Sequence, residues 1–137
     1  MPTFALTKDM ETGVAKIDEQ HRELINRINA VVTMGSQAFS KEETEKTLNL
    51  LGEYVVKHFT DEEELQRQCN YPKYEMHKAL HQDFVNEFLQ MKKEFAEKGN
   101  TSKFTVYLTQ TVTSWVIKHI KGSDVELGKY YREHMGK

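Results

Sequence analysis

The sequence predicts an all-α protein: an up-down-up-down antiparallel four-helix bundle with an irregular N-terminal arm and a short C-terminal helix. Three observations predict it. Four long segments carry apolar residues at three- and four-residue spacing, the period of an amphipathic helix. The stretches between them are short, which favours antiparallel neighbours. The two prolines, Pro2 and Pro72, interrupt none of the four segments.

Residues 1–16 have no helical period and form the expected arm, with Phe4 and Leu6 packed across the bundle. The first helix runs roughly from Ile17 to Phe39, with Ile17, His21, Leu24, Ile28 and Val31 on one stripe. The second begins at Ser40, where Ser40-x-x-Glu43 reads as a capping box. Its stripe is Leu48, Leu51, Val55, His58, Glu62 and Leu65, and it should stop around Cys69-Asn70, ahead of Pro72. The third stripe is His77, His81, Phe84, Phe88, Met91 and Phe95, closing at Gly99-Asn100. The fourth is Phe104, Leu108, Thr111, Trp115 and His119, closing at Gly122. Ser123-x-x-Glu126 reads as a second capping box, starting a short helix that carries Leu127, Tyr130 and Tyr131.

Composition narrows the function. At 137 residues the chain is expected to be one domain, 1–137, large enough for a real core. A net charge of −2 and charged residues at 29% in mixed order give no footprint for nucleic acid or an anionic membrane. No apolar run approaches the ~18 residues of a membrane span. Lys8 and Asp9 stand where a signal peptide needs an apolar stretch, so a cytoplasmic location is expected. With Cys69 as its one cysteine, the chain can form neither an internal disulfide nor a thiolate cluster.

The chemistry sits in the histidines. Five of six fall into a pattern with two acids: His58-x3-Glu62, His77-x3-His81 and His119-x4-Asp124, with His21 alone upstream. Residues at i and i+4 project from one helix face, so each four-residue pair reaches one small volume. A lone buried histidine is as readily a core residue bonded to a carbonyl, but two on one face, as at His77 and His81, are harder to satisfy that way. In the run Asp61-Glu62-Glu63-Glu64, an ordinary solvated face by composition, Glu62 alone continues the stripe of Val55 and His58. An unpaired buried carboxylate costs several kcal/mol, and a metal removes that cost. His119 and Asp124 are five apart, and a helix break at Gly122 and Ser123 is expected to let Asp124 swing back. Asp124 also reads as a helix N-terminal acid, favoured by the macrodipole. His134, beside Arg132 and Glu133, is expected at the surface.

Five imidazoles and two carboxylates exceed the needs of one ion. If both carboxylates bridge two ions and a solvent-derived oxygen also bridges, two octahedral ions are filled except for one position. Imidazole and carboxylate without thiolate suit iron, manganese or zinc. Neither the HExxH pattern of zinc proteases nor the Glu-x-x-His pairs of ferritin-like bundles occur.

Over nearly its whole length the sequence resembles the hemerythrin family in its bacterial single-domain form. The matching segments are IDEQHREL around His21, HFTDEE around His58, YPKYEMHKALH through His77 and His81, and WVIKHIKGSD ending at Asp124. The resemblance implies a non-haem di-iron centre bridged by an oxo or hydroxo group. His77, His81 and His119 would ligate one iron, His21 and His58 the other, and Glu62 and Asp124 would bridge the pair. Dioxygen would bind at the two-histidine iron, the one with the open position. Phe59 and Trp115 are candidate walls of a dry pocket around it, and equally ordinary core aromatics. The family commonly carries a tryptophan near the N-terminus, where this chain has Phe4. Lys121 lies between His119 and Asp124 and should point to solvent.

The expected function is reversible dioxygen binding, as carrier or store, with no catalytic residues and at most a weak oxidase or peroxidase side activity. The alternatives are an oxygen, redox or nitric oxide sensor working through a separate protein partner, which the sequence does not identify, or a di-iron enzyme consuming peroxide or nitric oxide.

Overall fold

A computed structural model of the chain describes residues 5–35, 41–99 and 102–136. A 3-10 turn at Lys8–Met10 precedes α1 (Ala15–Gly35), α2 (Lys41–Gln68), α3 (Tyr74–Lys98) and α4 (Ser102–Val112). The chain then runs through two π-helical turns, Thr113–Ile117 and Ile120–Asp124, into α5 (Val125–Tyr131) and a last π turn at Arg132–Gly136. The four long helices form an up-down-up-down bundle in which α1 packs on α2 and α4, and α3 packs on α2 and α4. No strand occurs among the described residues. No helix among them is long and apolar enough to cross a membrane. Phe4, Ser40 and Asn100 lie outside the described residues, and with them the first capping box.

The apolar stripes meet as the periodicity predicts. Leu24, Ile28 and Val31 of α1, Leu48, Leu51 and Val55 of α2, Phe84, Phe88, Met91 and Phe95 of α3, and Phe104 and Leu108 of α4 form one buried cluster. Each such side chain contributes about 1.5–3 kcal/mol when fully buried. Leu6 of the arm packs against it. A smaller cluster of Ile17, Cys69, Tyr71 and Leu127 closes the end beside α5.

The end of α2 follows from one residue. Asn70 takes φ 53°, a left-handed conformation that asparagine tolerates. The amide of Tyr71 then donates to the Gln66 carbonyl and that of Asn70 to the Arg67 carbonyl, the two bonds of a Schellman cap. On the face of α2, the buried stripe passes from Glu62 to Gln66, and the expected Leu65 is only partly buried. The expected helix break at Gly122 does not occur. Gly122 lies inside a π turn, and Asp124 flows into α5 with helical dihedrals and no side-chain cap. Glu126 reaches Lys73 at 2.9 Å, so the second capping box is not formed.

The arm is held by α1 and α5. Asp18 accepts from the Thr12 amide at 2.8 Å, the Thr12 hydroxyl at 2.7 Å and the Gly13 amide at 3.2 Å. The Thr12 carbonyl accepts from Arg132 Nε at 3.1 Å. Gly128 permits this docking, because a Cβ there would collide with the Thr12 carbonyl oxygen.

Candidate metal centre

The seven expected residues converge inside the bundle. His21 comes from α1, His58 and Glu62 from α2, His77 and His81 from α3, and His119 and Asp124 from the π-rich continuation of α4. All are buried, none more than 6% exposed. The four-residue pairs lie on one face as expected. His119 and Asp124 meet for another reason than the one expected. The Val125 amide donates to the Ile120 carbonyl, a five-residue bond that widens the turn, so residues five apart face one side. His119 Nε2 then stands 3.1 Å from Asp124 Oδ1 without any break in the helix.

Both carboxylates straddle two histidine groups. Glu62 Oε1 is 2.9 Å from His77 Nε2 and 3.0 Å from His81 Nε2. Its Oε2 is 3.3 Å from His58 Nε2 and 3.6 Å from His21 Nε2. Asp124 Oδ1 faces His77 at 3.0 Å, with His119 beside it, and Oδ2 faces His21 at 2.9 Å. Two donor sets result: Glu62, His77, His81, His119 and Asp124, and His21, His58, Glu62 and Asp124. The carboxylates belong to both.

The geometry tests whether these donors fit a metal. His21 Nε2, Glu62 Oε2 and Asp124 Oδ1 have close neighbours of opposite character but no aligned hydrogen bond. Buried polar groups in that state are costly. The atoms are aimed at common points between them. His77 Nε2 and His119 Nε2 face each other at 3.1 Å, a contact in which at most one ring can donate. Ligation of metal ions satisfies all of these atoms, so the donor set fits.

Flanking residues fix the imidazoles. His58 Nδ1 donates to Gln20 Oε1 at 2.8 Å. The Gln20 amide is oriented by its own donation to Asp61 at 2.9 Å. His81 Nδ1 donates to Glu63 Oε2 at 2.9 Å. A proton on Nδ1 leaves the Nε2 lone pair of a neutral ring facing the cluster. Burial opposes charge on His21, but the nearness and charge of Asp124 and Glu62 outweigh it and carry its pKa to about 10. The same opposition lifts His77 to about 9. Burial disfavours the ionised form of Glu62, yet His58, His21 and His77 hold it well below the usual carboxylate range. For Asp124, burial and then the charge of Glu62 are outweighed by His119 and His21, so it too is held low.

A cavity of about 10 Å³ adjoins the cluster, about the least space that holds a single water. Its apolar walls are Leu24, Phe59, Phe84, Trp115, Val116 and Ile120. It touches His21 and His58, the two-histidine set, together with His119 and Asp124, but neither His77 nor His81. Phe59 stacks on His81 with centroids 3.9 Å apart, and Trp115 on His119 at 4.3 Å. Lys121 points away to solvent, 3.3 Å from Asp9, and His134 is exposed against Tyr130.

Gln20 and Glu63 carry no sequence signal of their supporting role, and Leu24 and Phe84, placed on the apolar stripes, carry none that they line the cavity. Gln20 adjoins His21, and Glu63 adjoins Glu62, but adjacency alone does not separate a support from a solvated neighbour.

Fold and site together define a helical-bundle metal-binding protein whose donors are histidine and carboxylate. The hemerythrin HHE cation-binding domain profile matches residues 12–131. The chain belongs to that family. It is 25% identical over 134 residues to a bacteriohemerythrin of Stenotrophomonas maltophilia, covering 92% of this chain and 85% of that one. It is 31% identical over 114 residues to a myohemerythrin of Theromyzon tessulatum, covering 83% and 82%. A crystal structure of wild-type hemerythrin superposes with a TM-score of 0.76 at 25% identity, over 92% of both chains. A hemerythrin point mutant gives 0.82 at 24% identity over the whole of both chains, a likeness of fold.

Proposed function

We propose that the chain binds dioxygen reversibly, as a carrier or store, at a pair of iron ions. His77, His81 and His119 hold one ion, His21 and His58 the other, and Glu62 and Asp124 span the two. The observation that carries this reading is the straddling of both carboxylates, each with one oxygen toward either histidine set. Iron would supply the electrons that dioxygen takes up on binding and returns on release.

The residues do the rest. Gln20 and Glu63 hold His58 and His81 in the tautomer that presents Nε2. Leu24, Phe59, Phe84, Trp115, Val116 and Ile120 exclude water from the space beside His21 and His58. A dry site with few protons leaves a bound oxygen few exits besides return. A donor set of five imidazoles and two carboxylates would hold the ions with mostly neutral groups, which favours binding over turnover. The test is oxygen-electrode uptake by reduced, iron-loaded protein alongside a peroxide-consumption assay. Uptake of one dioxygen per iron pair, recovered under argon, is expected. Sustained peroxide consumption with oxidation in the first cycle would assign the site to an enzyme or redox sensor.

A further inference from the structure

The cavity beside His21 and His58 is narrow, and most of its apolar walls are buried side chains. Phe59 belongs to two spaces at once. On its inner side it lines the cavity beside the cluster. On its outer side it lines a surface pocket of about 230 Å³ between α2 and α3, which also reaches His81. Phe59 itself is 6% exposed and is the one residue that lines both spaces. The outer pocket is mixed in character, lined by Val56 and Val85 together with Thr60, Glu63, Lys78 and Gln82. Val56 is 53% exposed and marks the way in.

Resting on the dioxygen-binding reading, we infer that small neutral molecules reach the site through this α2–α3 pocket, with Phe59 as the movable partition. The ring is held by stacking on His81 at 3.9 Å and 4°, and on its other edges by Phe84 and Trp115 about 6 Å away, at 6.1 Å and 6.0 Å. It can swing toward the outer pocket, which is the space not filled by side chains. A neutral diatomic sheds little hydration in entering the inner cavity between apolar walls, whereas an ion must leave its water behind. The route therefore selects for neutral gas molecules before any contact with the cluster. The rival wall is Trp115, partly exposed and stacked on His119 at 4.3 Å.

The test plugs the mouth without touching the cluster. In Val56→Phe, an exposed position gains a ring that fills the outer pocket. In reduced, iron-loaded protein, stopped-flow and release measurements should both slow by about tenfold, a barrier raised by about 1.4 kcal/mol, with Kd unchanged. Phe59→Leu should speed both directions. An independent readout needs no iron: Trp115, the sole tryptophan, lines the cavity and is partly exposed, so the dioxygen quenching of its fluorescence in the full chain that exceeds acrylamide quenching reports passage into the cavity. Val56→Phe should lower dioxygen quenching and leave acrylamide quenching, which samples only the outer face, as it was. Unchanged rates and unchanged dioxygen quenching would overturn the route and leave the Trp115 side as the way in. A shifted Kd with an unaltered on-rate would also overturn it, since Val56 would then act on the bound state. If iron-loaded protein takes up no dioxygen reversibly, the functional reading fails while the quenching experiment still decides the route.

Discussion

Replacing Glu63 by alanine separates a support of the metal centre from a surface charge. Glu63 follows Glu62 by one residue, so helical phase alone assigns it no part in the centre. In the structure its carboxylate accepts the His81 Nδ1 proton at 2.9 Å, with Glu63 17% and His81 2% exposed. Glu63→Ala leaves that N–H unpaired and frees the ring to rotate away from Glu62. Loss of such a partner behind a metal-bound histidine weakens metal binding by about 10–100-fold. At about 1.4 kcal/mol per decade this is roughly 1.4–2.8 kcal/mol. Glu64→Ala is the control: it breaks an exposed pair with Arg67, about half exposed on both sides, worth about 0–1 kcal/mol. Competition titration against a chromophoric chelator reads the affinities, and elemental analysis at saturation reads the stoichiometry. Glu63→Ala should bind more weakly at unchanged stoichiometry, and Glu64→Ala should match the parent. Equal affinities for the two variants would refute the assignment of Glu63.

Four further outcomes are expected. Glu62→Ala should lose paired metal binding while Asp61→Ala keeps it, by elemental analysis, because Asp61 faces Lys57 and Gln20 rather than the cluster. Metal-loaded protein should melt above metal-free protein in calorimetry, by about 2.7 kcal/mol when metal stands at 100 times Kd. Against burial, the carboxylates of Asp124 and Glu62 raise His21 and His77 to about 10 and 9, above the ordinary imidazole value of 6.5, so the two histidines stabilise metal-free protein fully below pH 6.5. That stability should be lost as pH rises through about 9–10, read as a lower melting point at pH 10 than at pH 6. Gly128→Ala should lower stability by about 1–3 kcal/mol in chemical denaturation, since its methyl meets the Thr12 carbonyl and pushes the arm from α5.

Much of the bundle was legible because one face of each helix must be apolar. The stripes through Ile28, Val55, Phe88 and Leu108 mark those faces, and His58, Glu62, His77 and His81 lie on them at four-residue spacing. The pairing of His119 with Asp124 was legible as a problem but not as a solution. A five-residue spacing calls either for a break or for a wider turn, and Gly122 suggested a break where the chain forms a π turn instead. Nothing local distinguishes the two, since glycine is compatible with both. The supports were hidden because they act across helices. Gln20 meets His58 and Glu63 meets His81 only once α1, α2 and α3 are packed. The acidic run after His58 shows the same limit: Asp61 pairs with Lys57, Glu63 orients His81 and Glu64 pairs with Arg67, and composition presents them alike. Gln66 in place of Leu65 is a matter of phase, with the four-residue step from Glu62 kept for one more turn.

Reversible oxygenation is the property on which the proposed function rests. Its most direct measurement is the optical spectrum of reduced, iron-loaded protein before air, after air and after argon. A new charge-transfer band that forms with air and disappears under argon, over several cycles with the ferrous spectrum restored, is the predicted result. A spectrum that changes once with air and does not return would contradict it.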